Sequence, residues 1–348
     1  MSPRADEEAE ALPPRATSVL FGHADAEAAL LTSYRGGRIP HAFLIVGPKG
    51  IGKATLAYRL ARFVLAHPDP QAREVAAATS LAIDPDHPVA RRIAAQAQGD
   101  LLILERTPNE KGVLRQQIAV DDVRRTVSFF GSTAGEGGWR IAIVDAVDEL
   151  NRSGANALLK VLEEPPQRAL LLLVSHSVAR VPATLRSRCR TVTLRPLAEG
   201  DVAAAVAAAA AESTGTDVTA AAAAAEGSVA RALALLDGDA LELRQQALDL
   251  LDQLPALDTG ALHALGEAIS GTDPQPLAAV LDTVNAWLSQ RLREHGENDR
   301  GEELVRLNRL AEASERINQA ARDAETYNLE RKPLVFGVFG LLAEATRG

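Results

Sequence analysis

Aromatic residues make up only 3% of the 348 residues, and there is a single cysteine, Cys189. A lone thiol excludes an intrachain disulfide and any cysteine-based zinc site, which suits a reducing cytoplasm. No apolar run approaches the ~20 residues that a membrane-spanning helix needs. Basic residues are outnumbered, 37 Lys and Arg against 46 Asp and Glu, for a net charge of −9. A general basic surface for nucleic acid is not expected, while a local patch stays open. Residues 1–17 are acidic, contain prolines and lack an apolar core, so they read as a disordered leader and not as a signal peptide.

The remaining composition is ordinary for a globular chain, with 47% hydrophobic and 24% charged residues. The length calls for two or three domains. Short apolar runs at 42–46, 100–105, 140–145, 170–175 and 191–194 read as buried strands. Helical stretches fall between them, at 120–130, 152–163 and within 73–98. This alternation predicts an α/β domain with a parallel sheet flanked by helices over 18–195. Alanine runs (203–205, 207–211, 220–225) then predict a small helical lid over 196–240, with Ser228 as a helix N-cap. From 241 to 348 the pattern is amphipathic helix throughout, which predicts an all-α C-terminal domain. Within it Leu277, Leu281, Val284, Leu288 and Leu292 share one face.

After the first strand the chain reads Gly47-Pro-Lys-Gly-Ile-Gly-Lys53-Ala54-Thr55. Gly47, Gly50 and Gly52 permit a tight loop whose N–H groups face phosphate oxygens, and Lys53 would reach the terminal phosphates. The plainer alternative is a glycine turn between strand and helix. The strand before and the helix after are the context that a phosphate loop requires. One group is missing. A Ser or Thr hydroxyl should follow the lysine as a Mg²⁺ ligand, and Ala54 stands there. Thr55 is one residue late, turned about 100° away on a helix. Asp145 ends an apolar strand, where a carboxylate can hold Mg²⁺ through water. Ala146 follows it, where hydrolysing enzymes of this class carry a glutamate. Asp148 and Glu149 come next and are the only nearby replacements. ATP or ADP binding is therefore compatible with the loop, with Mg²⁺ only alongside nucleotide. Metal-assisted phosphoryl transfer should suffer badly.

Further motifs are Phe21-Gly-His23, Ile39-Pro-His-Ala42, Leu158-Leu-Lys-Val-Leu-Glu-Glu-Pro-Pro166 and Leu185-Arg-Ser-Arg-Cys-Arg190. Together with the loop they resemble the AAA+ clamp-loader subunits of bacterial DNA polymerase III. Specific motifs cover about 20–240, and helical character alone covers the rest. The motors of that family, gamma/tau, carry an intact loop threonine and an Asp-Glu pair. This chain departs at both and is similar to the delta prime type, the largely rigid member that supports the motors.

The resemblance implies an AAA+ domain, a lid and a helical collar. It implies a ring with gamma/tau and delta that opens the sliding clamp on primed DNA, placed in the cytoplasm and on the nucleoid through the replisome. It implies that Arg188 of Ser187-Arg188-Cys189 reaches into a neighbouring motor's ATP site, where a planar cationic fork suits the γ-phosphate. On the residues alone, an arginine paired on its own surface is an equal reading. The resemblance places Ser175-His176 at a sensor position, and Ala230 where the motors have a lid arginine, with Arg231 one residue late. Many relatives carry a cysteine-ligated zinc module after the loop helix. Residues 66–99 contain no cysteine, so no zinc is expected and packing through Leu81, Ile83, Val89 and Ile93 is. Arg152 and Lys160 are weak candidates for DNA phosphates, against a merely solvated face or a local pair of Lys160 with Glu163 or Glu164. Two readings compete with a non-hydrolysing subunit that donates an arginine. One is a gamma/tau-like motor ATPase, and the other is a nucleotide-binding regulatory module outside replication.

Overall fold

The computed structural model describes residues 13–108, 115, 117–131, 138–210, 215–236, 239–271, 273, 275–295, 301–327 and 329–347. Two compact units emerge, Met1–Ala232 and Leu233–Gly348. The division falls inside one helix, Val229–Leu236, so the segment expected as a lid over 196–240 belongs mostly to the first unit.

The first unit opens with α1 (Ala24–Arg35), β1 (Ala42–Val46), α2 (Lys53–Ala66), α3 (Arg73–Ala77) and α4 (Pro88–Ala94). It continues through β2 (Leu101–Glu105), α5 (Val120–Gly131), β3 (Arg140–Asp145), α6 (Arg152–Glu163), β4 (Ala169–Ser175), α7 (Ala183–Arg186) and β5 (Arg190–Thr193). The helices α8 (Glu199–Ala209), α9 (Gly215–Ala224) and α10 (Val229–Leu236) follow. All five strands pair in parallel, in the order β2-β3-β4-β1-β5. The α/β architecture read from the sequence is the one observed.

Alternation along each strand distributes its side chains to two apolar layers. Phe43 and Ile45 of β1, Ile141 and Ile143 of β3, and Leu170, Leu172 and Val174 of β4 pack toward α1 and α2. Ala42, Leu44, Ala142, Val144, Leu171 and Leu173 pack toward α5, α6 and α7. Both faces are covered, so the central strands are buried throughout and read as continuous apolar runs.

One part of the first unit differs from expectation. Residues 1–12 of the expected leader lie outside the described residues. Residues 13–17 form a turn, with Ala16 and Thr17 donating backbone N–H groups to Pro13 O. Arg62 of α2 pins that turn, its Nη2 donating to Pro14 O at 3.1 Å, Arg15 O at 3.3 Å and Thr17 O at 2.7 Å. Residues 13–17, expected to be part of a disordered leader, are thus ordered by contacts to α2.

The segment after α2, which has no cysteine, is held by side chains from α1 and α2. Glu27 accepts from Leu81 N at 3.1 Å and from Arg59 Nε at 2.8 Å. Arg35 donates to Val75 O and Ala78 O, and Tyr34 donates to His67 O. Leu81, Val89 and Ile93 are buried, with Ile83 packed against the same core.

The second unit contains α11 (Ala240–Asp252), α12 (Thr259–Ala268), α13 (Gln275–His295), α14 (Gly301–Tyr327) and α15 (Arg331–Thr346). Its core gathers Leu243, Leu250, Leu265, Ile317 and Phe339 around Val280, Val284 and Leu288 of α13. Of the face expected there, Val284 and Leu288 are buried, and Leu277, Leu281 and Leu292 are partly buried against the same core. Asp258 caps α12, accepting from Gly260 N at 2.8 Å and Ala261 N at 3.2 Å.

Candidate functional site

The Gly47–Thr55 loop leaves the C-terminal end of β1, beside the ends of β4 and β5. Gly47 N donates to Ser175 O at 3.3 Å, and Leu194 N donates to Val46 O at 2.8 Å. Gly47, Gly50 and Gly52 all have positive φ (156°, 78° and 97°), which a side chain would strain. Space alone forbids one at Gly50, where a Cβ would lie 2.3 Å from Ser228 Oγ. Lys53, Ala54 and Thr55 form the first turn of α2, and Gly52 precedes it as the N-cap. The loop thus sits between a strand end and a helix start, the context in which a phosphate loop is built.

Lys53 is 3% exposed and donates to Pro48 O. Burial pushes its pKa down to about 8, with Asp145 and Asp148 opposing. Asp145 is pushed up to about 6 by burial, partly offset by Lys53. The site thus keeps the lysine and the strand-end carboxylate of a nucleotide-binding unit. It lacks a hydroxyl at Ala54, and Ala146 is buried with no carboxylate to offer.

The replacements are already engaged. Asp148 accepts His176 N through both carboxylate oxygens, at 3.1 and 3.3 Å. Glu149 Oε2 pairs with Arg106 Nε at 2.8 Å. Thr55 is half-buried on α2, one position past the metal-ligand place. Ser175, fully buried at the end of β4, accepts from Ser177 N at 3.1 Å. His176 beside it has its pKa pushed down, by burial first and by Lys53 second.

The start of α10 lies directly on the loop. Ser228 caps that helix by accepting from Arg231 N at 3.3 Å, and its hydroxyl donates to Lys49 O at 3.0 Å. Ala230 N donates to Gly50 O at 3.3 Å. A first-turn N–H that could meet a phosphate is spent on the loop itself. Arg231, one residue after the place where an arginine would serve the site, pairs with Glu226 at 3.2 Å.

Arg188 lies apart from this loop, just after α7. Its Nη2 pairs with Glu163 Oε1 at 2.9 Å, and its Nη1 donates to Thr184 O at 2.9 Å. Cys189 is partly buried against the α5–α7 layer, and burial pushes its thiol up to about 11. That describes a packing residue and not a nucleophile. Arg152 and Lys160 are both exposed on α6, two turns apart. Among the described residues, no group of three or more His, Cys, Asp or Glu is arranged to hold a metal. No helix among them is long and apolar enough to cross a membrane.

The buried Glu27–Arg59 ion pair, and the bonds from Arg62 to the carbonyls of residues 14, 15 and 17, were not read from the sequence. The available signal was that both arginines fall among Leu56, Leu60 and Phe63 on a helix buried nearly all round.

A parallel sheet with a glycine loop and lysine after β1, and an aspartate at the end of β3 one strand beyond β4, is the α/β arrangement in which P-loop proteins place these groups. A family model described as "DNA polymerase III, delta subunit" matches residues 22–198, just over half of the chain. The chain belongs to that family and is delta prime-like. The delta prime subunit of DNA polymerase III from Pseudomonas aeruginosa is 37% identical over 161 residues, 46% of this chain and 45% of that one. The Escherichia coli delta prime subunit is 32% identical over 223 residues, 62% of this chain and 60% of that one. A DNA polymerase III gamma subunit from Buchnera aphidicola is 26% identical over 189 residues, 54% of this chain and 47% of that one. The matches thus span about half the length of these relatives.

Proposed function

We propose that this chain is a clamp-loader subunit that does not hydrolyse ATP and completes the active site of a neighbouring motor through Arg188. One observation carries the first half. The phosphate loop and Lys53 are intact in geometry, while Ala54 and Ala146 remove the metal ligand and the water-polarising carboxylate. The two nearby carboxylates hold His176 N and Arg106 instead. The second half is supported by the likeness to delta prime subunits together with this chain's own Ser187-Arg188-Cys189 sequence and the exposure of Arg188.

On this reading the partners are gamma/tau and delta subunits, the sliding clamp, and primed DNA met through the assembled ring. Arg152 and Lys160 are candidate contacts to DNA phosphates. ATP or ADP fits the loop through its N–H groups and Lys53. Mg²⁺ would then bind on nucleotide oxygens and Asp145, without a hydroxyl from the chain. The alternative of a gamma/tau-like motor would need Asp148 or Glu149 to leave its present partner.

The test is nucleotide turnover by the purified chain, followed by clamp loading in a complex reconstituted with gamma/tau and delta. The expected result is no turnover alone, and near-normal loading with Lys53→Ala. Turnover alone that disappears in Lys53→Ala would make the chain a motor.

A further inference from the structure

We propose that Glu163 is the positioning residue for Arg188, and that it sets how well this arginine serves a partner's phosphate. The inference rests on the reading of Arg188 as a trans-acting group. Glu163 is the last residue of α6, and α7 packs against that helix. The carboxylate takes Nη2 of Arg188 at 2.9 Å, while Thr184 O takes Nη1 at 2.9 Å. The acceptors come from two separate elements and hold two different nitrogens. Together they fix the plane of the guanidinium and leave the other N–H groups of the fork for an anion.

A free arginine side chain must lose much rotamer freedom to meet a phosphate. Here part of that ordering is done before the partner arrives. Both side chains stay accessible, at 36% for Arg188 and 51% for Glu163, so the pair is a weak restraint and not a buried lock. Release from Glu163 is not required for use. Lys160 lies one turn earlier on α6 but contributes no ion pair to this carboxylate, so Glu163 is committed to Arg188 across 25 residues.

The test is DNA-stimulated ATPase of the reconstituted complex carrying Glu163→Ala, Glu163→Gln, Arg188→Ala or the double change. Glu163→Ala should lower kcat about 3-fold, the scale that a surface pair allows, with KM for ATP unchanged. Glu163→Gln keeps an acceptor oxygen and should recover most of the rate. In the Arg188→Ala background, Glu163→Ala should cause no further loss. Equal or faster turnover in Glu163→Ala would overturn the proposal, since that is how a competitor for Arg188 behaves. An equal loss in the Arg188→Ala background would also overturn it, because the effect would not pass through Arg188. If Arg188→Ala itself turns over normally, the trans-acting reading fails and takes this proposal with it. Normal rate in Glu163→Ala beside a low rate in Arg188→Ala removes only Glu163.

Discussion

Glu149 Oε2 lies 2.8 Å from Arg106 Nε, and this pair engages one of the two carboxylates that could stand in for the one missing at Ala146. Freeing Glu149 should not create a hydrolase, because Ala54 still supplies no metal ligand. Arg106→Ala in the isolated chain should therefore show phosphate release at background. Release above background that depends on Lys53 would show that the pair alone had silenced the site.

Lys53 gives a pH-dependent prediction. Burial lowers its pKa from 10.5 to about 8, so the folded chain binds this proton less tightly than the unfolded chain. Stability is reduced in full below about pH 8 and recovers as pH rises from 8 to 10.5. Lys53→Met should be more stable than the parent at pH 7, on the order of 1–2 kcal/mol after the lost bond to Pro48 is subtracted. The difference should shrink or reverse at pH 10. Urea unfolding at the two pH values checks it, and a variant less stable at pH 7 would contradict it.

Arg62 holds the turn at residues 13–17 with three carbonyl contacts, while 4% exposed. Arg62→Ala should cost about 1–2 kcal/mol, since three half-buried carbonyls lose a charged donor. Amide exchange at Ala16 and Thr17 should accelerate, although Arg62 does not bond those amides directly. Unchanged exchange would mean that the turn stands without its strap.

Glu27 joins Arg59 to the segment that leads into α4, with side chains only 12% and 7% exposed. Breaking one side of such a pair leaves a buried charge. Glu27→Ala should therefore destabilise by about 3–5 kcal/mol. A chelator should leave the melting temperature of the parent chain unchanged, because side-chain bonds hold this segment in place of a metal. A large fall on chelation would reveal a metal site there.

The sheet was legible because its central strands β1, β3 and β4 carry continuous apolar runs, the pattern of strands buried on both faces, whereas the buried run expected at 191–194 is the mostly exposed edge strand β5. Helix α6 was legible to the residue, since Asn151 caps it by accepting from Gly154 N at 2.8 Å. The phosphate loop was legible from three glycines and a lysine between a strand and a helix. The role of Arg59 and Arg62 was not legible, because arginines on a helix normally mark its solvent face. Their partners lie more than 30 residues away in sequence. The Glu163–Arg188 pair was hidden for the same reason. Helical spacing offered Lys160 to Glu163, and only the packing of α7 on α6 shows which cation takes it.

The most direct test of the central claim is DNA-stimulated ATP turnover by a complex reconstituted with gamma/tau, delta and Arg188→Ala. The expected result is a correctly assembled complex whose turnover falls at least 10-fold, with about 10³–10⁵ as the full effect of an arginine finger that serves every turnover. Full turnover in an assembled complex would contradict the account and leave Arg188 as a surface residue paired with Glu163.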